Sequence, residues 1–160
     1  MQPRIAPLAD HPELAESVAR WHFDEWGALS PDATLEAWTA HIQQSASRAS
    51  LPITYIALDA SAGDDLLGSV TLVECDMETR PDLTPWLAGL FVRPASRSLG
   101  VGSLLALHAV SAAAAMGVAR LYLYTHAARS FYERLGWHAL EPAFYEGRDV
   151  TIMAIEPAAR

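Results

Sequence analysis

The chain has 160 residues, 51% of them hydrophobic, which is enough for one domain with its own core and no help from disulfides or metal. Against 19 Asp and Glu stand 11 Lys and Arg, a formal net charge of -8, which speaks against nucleic acid or an anionic membrane as the main partner. Cys75 is the single cysteine, so no disulfide can form within the chain, and the start "MQPRIAPLADHPEL" has no continuous apolar stretch; a cytoplasmic location is expected.

"RIAPLAD" from Arg4 reads as a short edge strand. From His11 to Trp26, Leu14, Ala15, Val18, Ala19 and Trp21 recur at helical spacing, and Gly27 stands where a C-cap belongs. Ser30-Pro31 reads as an N-cap followed by proline at the first helical position, with Leu35, Trp38 and Ile42 on the inner face of a second helix. "ITYIALDA" from Ile53 and "LLGSVTLVECD" from Leu66 are β-branched runs joined by the turn "SAGDD", and are expected to pair antiparallel. Alternation would put Glu74 and Asp76 on one face of that second run, with Cys75 opposite, buried and inert.

After the proline-containing loop "METRPDLTP", "WLAGLFV" from Trp86 is apolar almost throughout and should be covered on both faces. Val101–Gly117 is a helix, too short for a comfortable membrane span and interrupted by Ser103, His108 and Ser111. "ARLYLYT" from Ala119 is another buried strand, parallel to the one before the helix. "AARSFYERLG" is a short helix closed by Gly136, and "WHALEPAFYEG" with "DVTIMAIEP" forms a final hairpin. The expectation is one α/β domain over residues 1–160 with a mixed sheet, in the order β-α-α-β-β-β-α-β-α-β-β.

The junction "RPASRSLGVGSLLALHAV" carries the chemistry. A helix start offers N–H groups without partners and the positive end of the helix dipole, which suits phosphate oxygens. Gly100 and Gly102 let a ligand approach the backbone, and Arg97 adds charge, so "RSLGVG" reads as a pyrophosphate cradle. A dinucleotide fingerprint would need glycine where Leu105 stands, and a Walker A loop would need a lysine that is absent here. A turn that uses glycine for geometry alone is the competing reading.

"LFVRPASRSLGVG" resembles the acyl-CoA signature of the GNAT superfamily of N-acetyltransferases, and "FYERLGW" from Phe131 resembles that superfamily's second signature. The helix and strand between them match as well, as does the element order. The resemblance implies a splayed central strand pair that admits the pantetheine arm of acetyl-CoA onto the backbone of Leu90, Phe91 and Val92, with Gly89 permitting a bulge. It implies pyrophosphate on the N–H groups of Arg97, Ser98, Leu99, Gly100, Val101 and Gly102, with Ser103 adding its hydroxyl. Ser98 replaces a glycine common in the family, and Thr125 replaces an asparagine that bonds pantetheine.

By the same match Tyr132 is the general acid for a departing thiolate, since a phenol stays protonated at neutral pH, and Phe131 is core or pantetheine wall. His126 is a candidate proton acceptor, and Glu74 or Asp76 could deprotonate or hold an ammonium group. The junction of the first two helices, "WHFDEWG" with His22, Glu25 and Trp26, is expected to line the acceptor pocket, although Trp21 and Trp26 could equally be core; Tyr145 in the last turn is a further candidate. The histidines lack metal-ligand spacing, so no metal is expected. Direct acetyl transfer to a primary amine, on a small molecule or a protein, is the leading function; a non-catalytic acyl-CoA sensor on the same fold is the alternative. A homodimer is compatible with the sequence.

Overall fold

The computed structural model describes residues 1–157. The elements follow in the expected order: β1 (Pro3–Pro7), α1 (Ala15–Trp26), α2 (Leu35–Gln44), β2 (Ile53–Asp59), β3 (Asp65–Val73), β4 (Trp86–Val92), α3 (Val101–Ala115), β5 (Leu121–Thr125), α4 (Arg129–Arg134), β6 (His138–Tyr145) and β7 (Arg148–Ile155). They build one seven-stranded mixed sheet with strand order β1-β2-β3-β4-β5-β7-β6. Neighbours pair antiparallel except β4 and β5, which run parallel because α3 carries the chain across the sheet between them.

Period-two alternation sorts side chains to two faces. Leu67, Val70 and Leu72 of β3 join Leu121 and Leu123 of β5 under Val101, Leu105, Ala109 and Ala113 of α3. Across the sheet, Ile56, Leu58 and Leu66 pack on Val18, Ala19 and Ile42 of α1 and α2. Helix coverage on that side stops short of β5 and β7. There Met77 and Leu83, from the loop after β3, close over Trp86, Val150 and Ile152. Thr84 Oγ1 donates to the Glu74 carbonyl at 2.6 Å, the Trp86 indole N–H donates to Leu83, and Arg80 pairs with Asp82 and Glu141. A loop is thereby held like an element.

Local chemistry departs from expectation at the α2 N-cap and at the end of β3, while Gly27 stands at the C-cap of α1 as expected. The α2 N-cap is Thr34, whose Oγ1 accepts from the Ala37 N–H at 3.1 Å; Ser30 and Pro31 lie before it in a turn, so proline does not occupy the first helical position. Gly27 caps α1 in a right-handed conformation and passes it into a short 3₁₀ turn; its missing side chain leaves room for the Phe23 ring, 2.9 Å from where a Cβ would stand. β3 ends at Val73, because the chain bends away towards the loop there. Glu74 and Asp76 therefore do not share a strand face, and Cys75 is exposed rather than buried, its Sγ near the Met77 carbonyl.

Candidate active site

β4 and β5 meet only at Trp86 and Tyr122 and diverge beyond. The divergence opens a cleft of about 1040 Å³ through the sheet, lined on one side by Leu87, Leu90, Leu123 and Tyr132 and on the other by His22, Trp26, Asp76 and Tyr124. Leu90 sits at a bulge. Between the pairs Ser69–Phe91 and Thr71–Ala88, β3 supplies Val70 alone while β4 supplies Gly89 and Leu90. Gly89 has φ +60°, a left-handed conformation that side chains resist. The splay and the bulge are both where the sequence placed them.

The turn from β4 into α3 follows a 3₁₀ segment at Pro94–Ser96. Ser98 has φ +62° and Gly100 φ +86°, so the serine holds a backbone shape that glycine holds at lower cost. Open space surrounds the position a Gly100 Cβ would take. The first in-helix N–H bond runs from Leu104 to the Gly100 carbonyl at 3.1 Å, which leaves the N–H groups of Val101, Gly102 and Ser103 without helical partners. The Arg97 guanidinium donates Nε to the Val92 carbonyl at 2.8 Å and lies 5.4 Å over the Phe91 ring, so the arginine is anchored at the mouth of the turn. Leu99 is exposed, and Phe131 packs 3.6 Å from the Gly102 Cβ position. The turn thus combines N–H groups without helical partners, no side chain at Gly100 and one oriented cation.

Tyr132, on α4, is 8% exposed and lines the cleft. Burial pushes its phenol well above the ordinary tyrosine value, so it keeps its proton at any working pH. Thr125, at the end of β5, accepts from the Ala128 N–H at 3.0 Å and so starts the turn into α4. His126 donates Nδ1 to the Asp149 carbonyl at 2.9 Å, which leaves Nε2 as the free lone pair of the neutral ring.

The opposite wall is acidic and aromatic. Asp76 is half-buried; desolvation, then the nearby charge of Glu146, pushes its carboxyl up to about 7. The Tyr124 hydroxyl donates to Glu146 at 3.1 Å, and its phenol is also pushed up, by burial first and then by Asp76 and Glu146. Tyr145 packs edge-on to Tyr124 with centroids 5.4 Å apart, and its hydroxyl accepts from the Glu78 N–H. Glu25 and Trp26 stand on the α1 side of the same cleft, and Glu74 lines it as an exposed residue.

The expected residues Leu90, Thr125, His126, Tyr132, Glu25, Trp26, Glu74, Asp76 and Tyr145 thus border one cleft, while Phe91, Val92, Arg97–Ser103 and Phe131 are not among the residues that line it. Sequence reading missed Tyr124, Glu146 and Arg148, which also line the cleft. Tyr122 and Tyr124 alternate in "LYLYT", a signal for an aromatic face, but nothing local tells that Glu146 meets it. Among the described residues no cluster of His, Cys, Asp or Glu is arranged to hold a metal ion, and no helix is long and apolar enough to cross a membrane.

The acetyltransferase (GNAT) family model matches residues 14–137, most of the chain including cradle, cleft and Tyr132, and the protein belongs to that family. Solved structures agree in fold. An aminoglycoside 6'-N-acetyltransferase complexed with coenzyme A superposes with a TM-score of 0.77 at 16% identity, over 98% of both chains. An Arabidopsis thaliana protein in complex with acetyl-CoA gives 0.70 at 17% identity, over 97% of this chain and 98% of that one. A spermidine N-acetyltransferase chimera from Vibrio cholerae and hSSAT gives 0.68 at 17%, over 99% and 98%. No curated protein matches the chain in sequence.

Proposed function

We propose that this acetyltransferase moves an acetyl group from acetyl-CoA directly to the primary amine of a cationic acceptor. The observation that carries the reading is the pairing of walls across one cleft: a protonated, buried phenol on one side, Asp76 and Glu146 on the other. Acetyl-CoA, when bound, supplies an activated thioester. The Arg97–Ser103 turn would hold its pyrophosphate, and the Leu90 backbone at the bulge would hold its amide-bearing arm.

The chain's own groups supply the rest. Asp76 and Glu146 draw an ammonium group into the cleft, and Tyr124 and Tyr145 offer ring faces that suit it. An amine must lose a proton to attack. The Asp76 carboxyl, poised near neutrality, can take that proton, and the His126 Nε2 lone pair is a second acceptor on the cleft rim. As the new C–N bond forms and the C–S bond breaks, the sulfur leaves with the electron pair of the broken bond, and the Tyr132 hydroxyl is the donor suited to hydrogen-bond the departing thiolate. The acceptor classes named for similar folds, aminoglycosides, spermidine and peptides, are all amine-bearing.

The test is release of free thiol from acetyl-CoA with a panel of acceptors. Diamines and polyamines should turn over, while amines bearing a carboxylate near the reacting nitrogen should be poor. Thiol release that ignores acceptor charge would overturn the cationic assignment, and none with any amine would overturn the transfer itself.

A further inference from the structure

We propose that His22 is a positioning residue for the acyl-donor site: its imidazole, tethered to β3, holds the β4 bulge that presents the Leu90 backbone to the cleft. The proposal rests on the reading of Leu90 as a partner of the donor's arm.

The contacts form a closed circuit. Gly89 is the first residue of the bulge, and a Cβ there would stand 2.9 Å from His22 Cε1 and 3.4 Å from Nδ1. The imidazole therefore occupies the place any larger residue at 89 would need. Next to Cε1 in the ring, His22 Nε2 lies 2.8 Å from Ser69 Oγ. Ser69 is fully buried and pairs with Phe91, the residue just past the bulge. Trp26 and Trp38 meet the ring edge-on, at 5.1 and 6.3 Å between centroids, so it cannot tilt away. On β3 a second glycine completes the fit. A Cβ at Gly68 would stand 2.5 Å from the Phe91 carbonyl oxygen, so β4 is pressed onto β3 immediately after it bulges.

Chemistry favours orientation over simple filling. His22 is 3% exposed, and a buried imidazole carries a desolvation cost that Leu would not. Burial, with His41 as a lesser cause, lowers its pKa to about 4, so the ring is neutral at working pH and makes a weak base. What the imidazole adds over an apolar side chain is a directed bond to Ser69. That bond fixes the ring edge on which the bulge rests.

The experiment compares His22→Ala, His22→Gln and Ser69→Ala with wild type. Calorimetry would measure affinity for CoA and for adenosine 3′,5′-bisphosphate, the nucleotide fragment without the arm; steady-state kinetics would give both KM values and kcat. Losing the prop should weaken CoA by about tenfold, the scale of one or two hydrogen bonds to the arm. Affinity for the armless nucleotide should stay within about threefold, less than half a unit in log affinity. Gln, whose amide nitrogen can take the place of Nε2, should restore most of the CoA affinity, and Ser69→Ala should reproduce the loss. If His22→Ala does not fold, the Gln and Ser69 variants carry the same comparison.

Equal weakening of both nucleotide ligands, unchanged CoA affinity in folded variants, or a change confined to the acceptor KM would each overturn the proposal. Wild-type protein that binds CoA no tighter than the armless nucleotide would instead overturn the reading of Leu90, whatever His22 does.

Discussion

Replacing Asp76 by asparagine should stabilise the protein above neutral pH and leave it unchanged in acid. The carboxyl is held up to about 7 from an ordinary 3.8, by burial and then by Glu146. The folded chain keeps this proton where the unfolded chain has released it. Asp76 is thus harmless below 3.8, costs increasing stability as pH rises towards 7, and costs a constant amount above that. Some three units at ~1.4 kcal/mol each set a ceiling of ~4 kcal/mol. Water at the half-buried rim of the carboxylate lowers this towards ~2 kcal/mol. Asparagine keeps the shape without the titration. At pH 8 its melting temperature should exceed wild type by about 4–8 °C, given ~2–4 °C per kcal/mol for a domain of this size. At pH 4 the two should coincide.

Thermal melts from pH 4 to 8.5 measure the difference directly. Glu146→Gln, which removes the second cause, should stabilise on its own at high pH and shrink the gain from Asp76→Asn, so the pair should be non-additive. A difference that does not vary with pH, or a loss of stability at pH 8, would refute the reasoning, because it would mean that Asp76 is ionised and well paired in the folded chain.

Tyr132→Phe keeps the ring packing and removes one hydroxyl. Turnover at saturating substrates should fall ~10²-fold, with stability moved by ~1 kcal/mol at most and acetyl-CoA affinity near wild type; thiol release and a thermal melt check both. Gly102→Ala should fold normally, since its Cβ would meet Phe131 and Val92 at an ordinary 3.6 Å. It should nonetheless weaken CoA about tenfold in calorimetry by crowding the cradle, where several charge-assisted bonds act together. His22, neutral when folded, should make the protein lose stability as pH falls from 6.5 to about 4, since the unfolded chain takes up a proton that the folded one refuses. His22→Gln should flatten that part of the melting profile.

Local signals carried the element order. Periodicity separated α1, β2, β4 and α3, and the glycines of "RSLGVG" marked the turn into α3, because glycine spacing and helix-start chemistry act over a few residues. One local signal was misread. Ser30-Pro31 has the form of a helix start, yet it is Thr34 whose hydroxyl accepts from the Ala37 N–H. Likewise alternation continued past Val73 on paper, while the loop's bonds at Thr84 and Trp86 hold the chain out of the sheet, where Asp76 is half-buried and Glu74 exposed.

The chain's own order of residues thus determined its class, its sheet and the side chains able to do chemistry. Tertiary structure alone decided which of them share an environment. Asp76 and Glu146 are 70 positions apart, and so their mutual repulsion exists only once the turn between β6 and β7 meets the loop after β3. His22 lies under Gly89 because α1 packs on β4, and a proton's affinity for either group depends on the water that folding removes. Charge, strain and desolvation act through space, and spacing along the chain does not encode them.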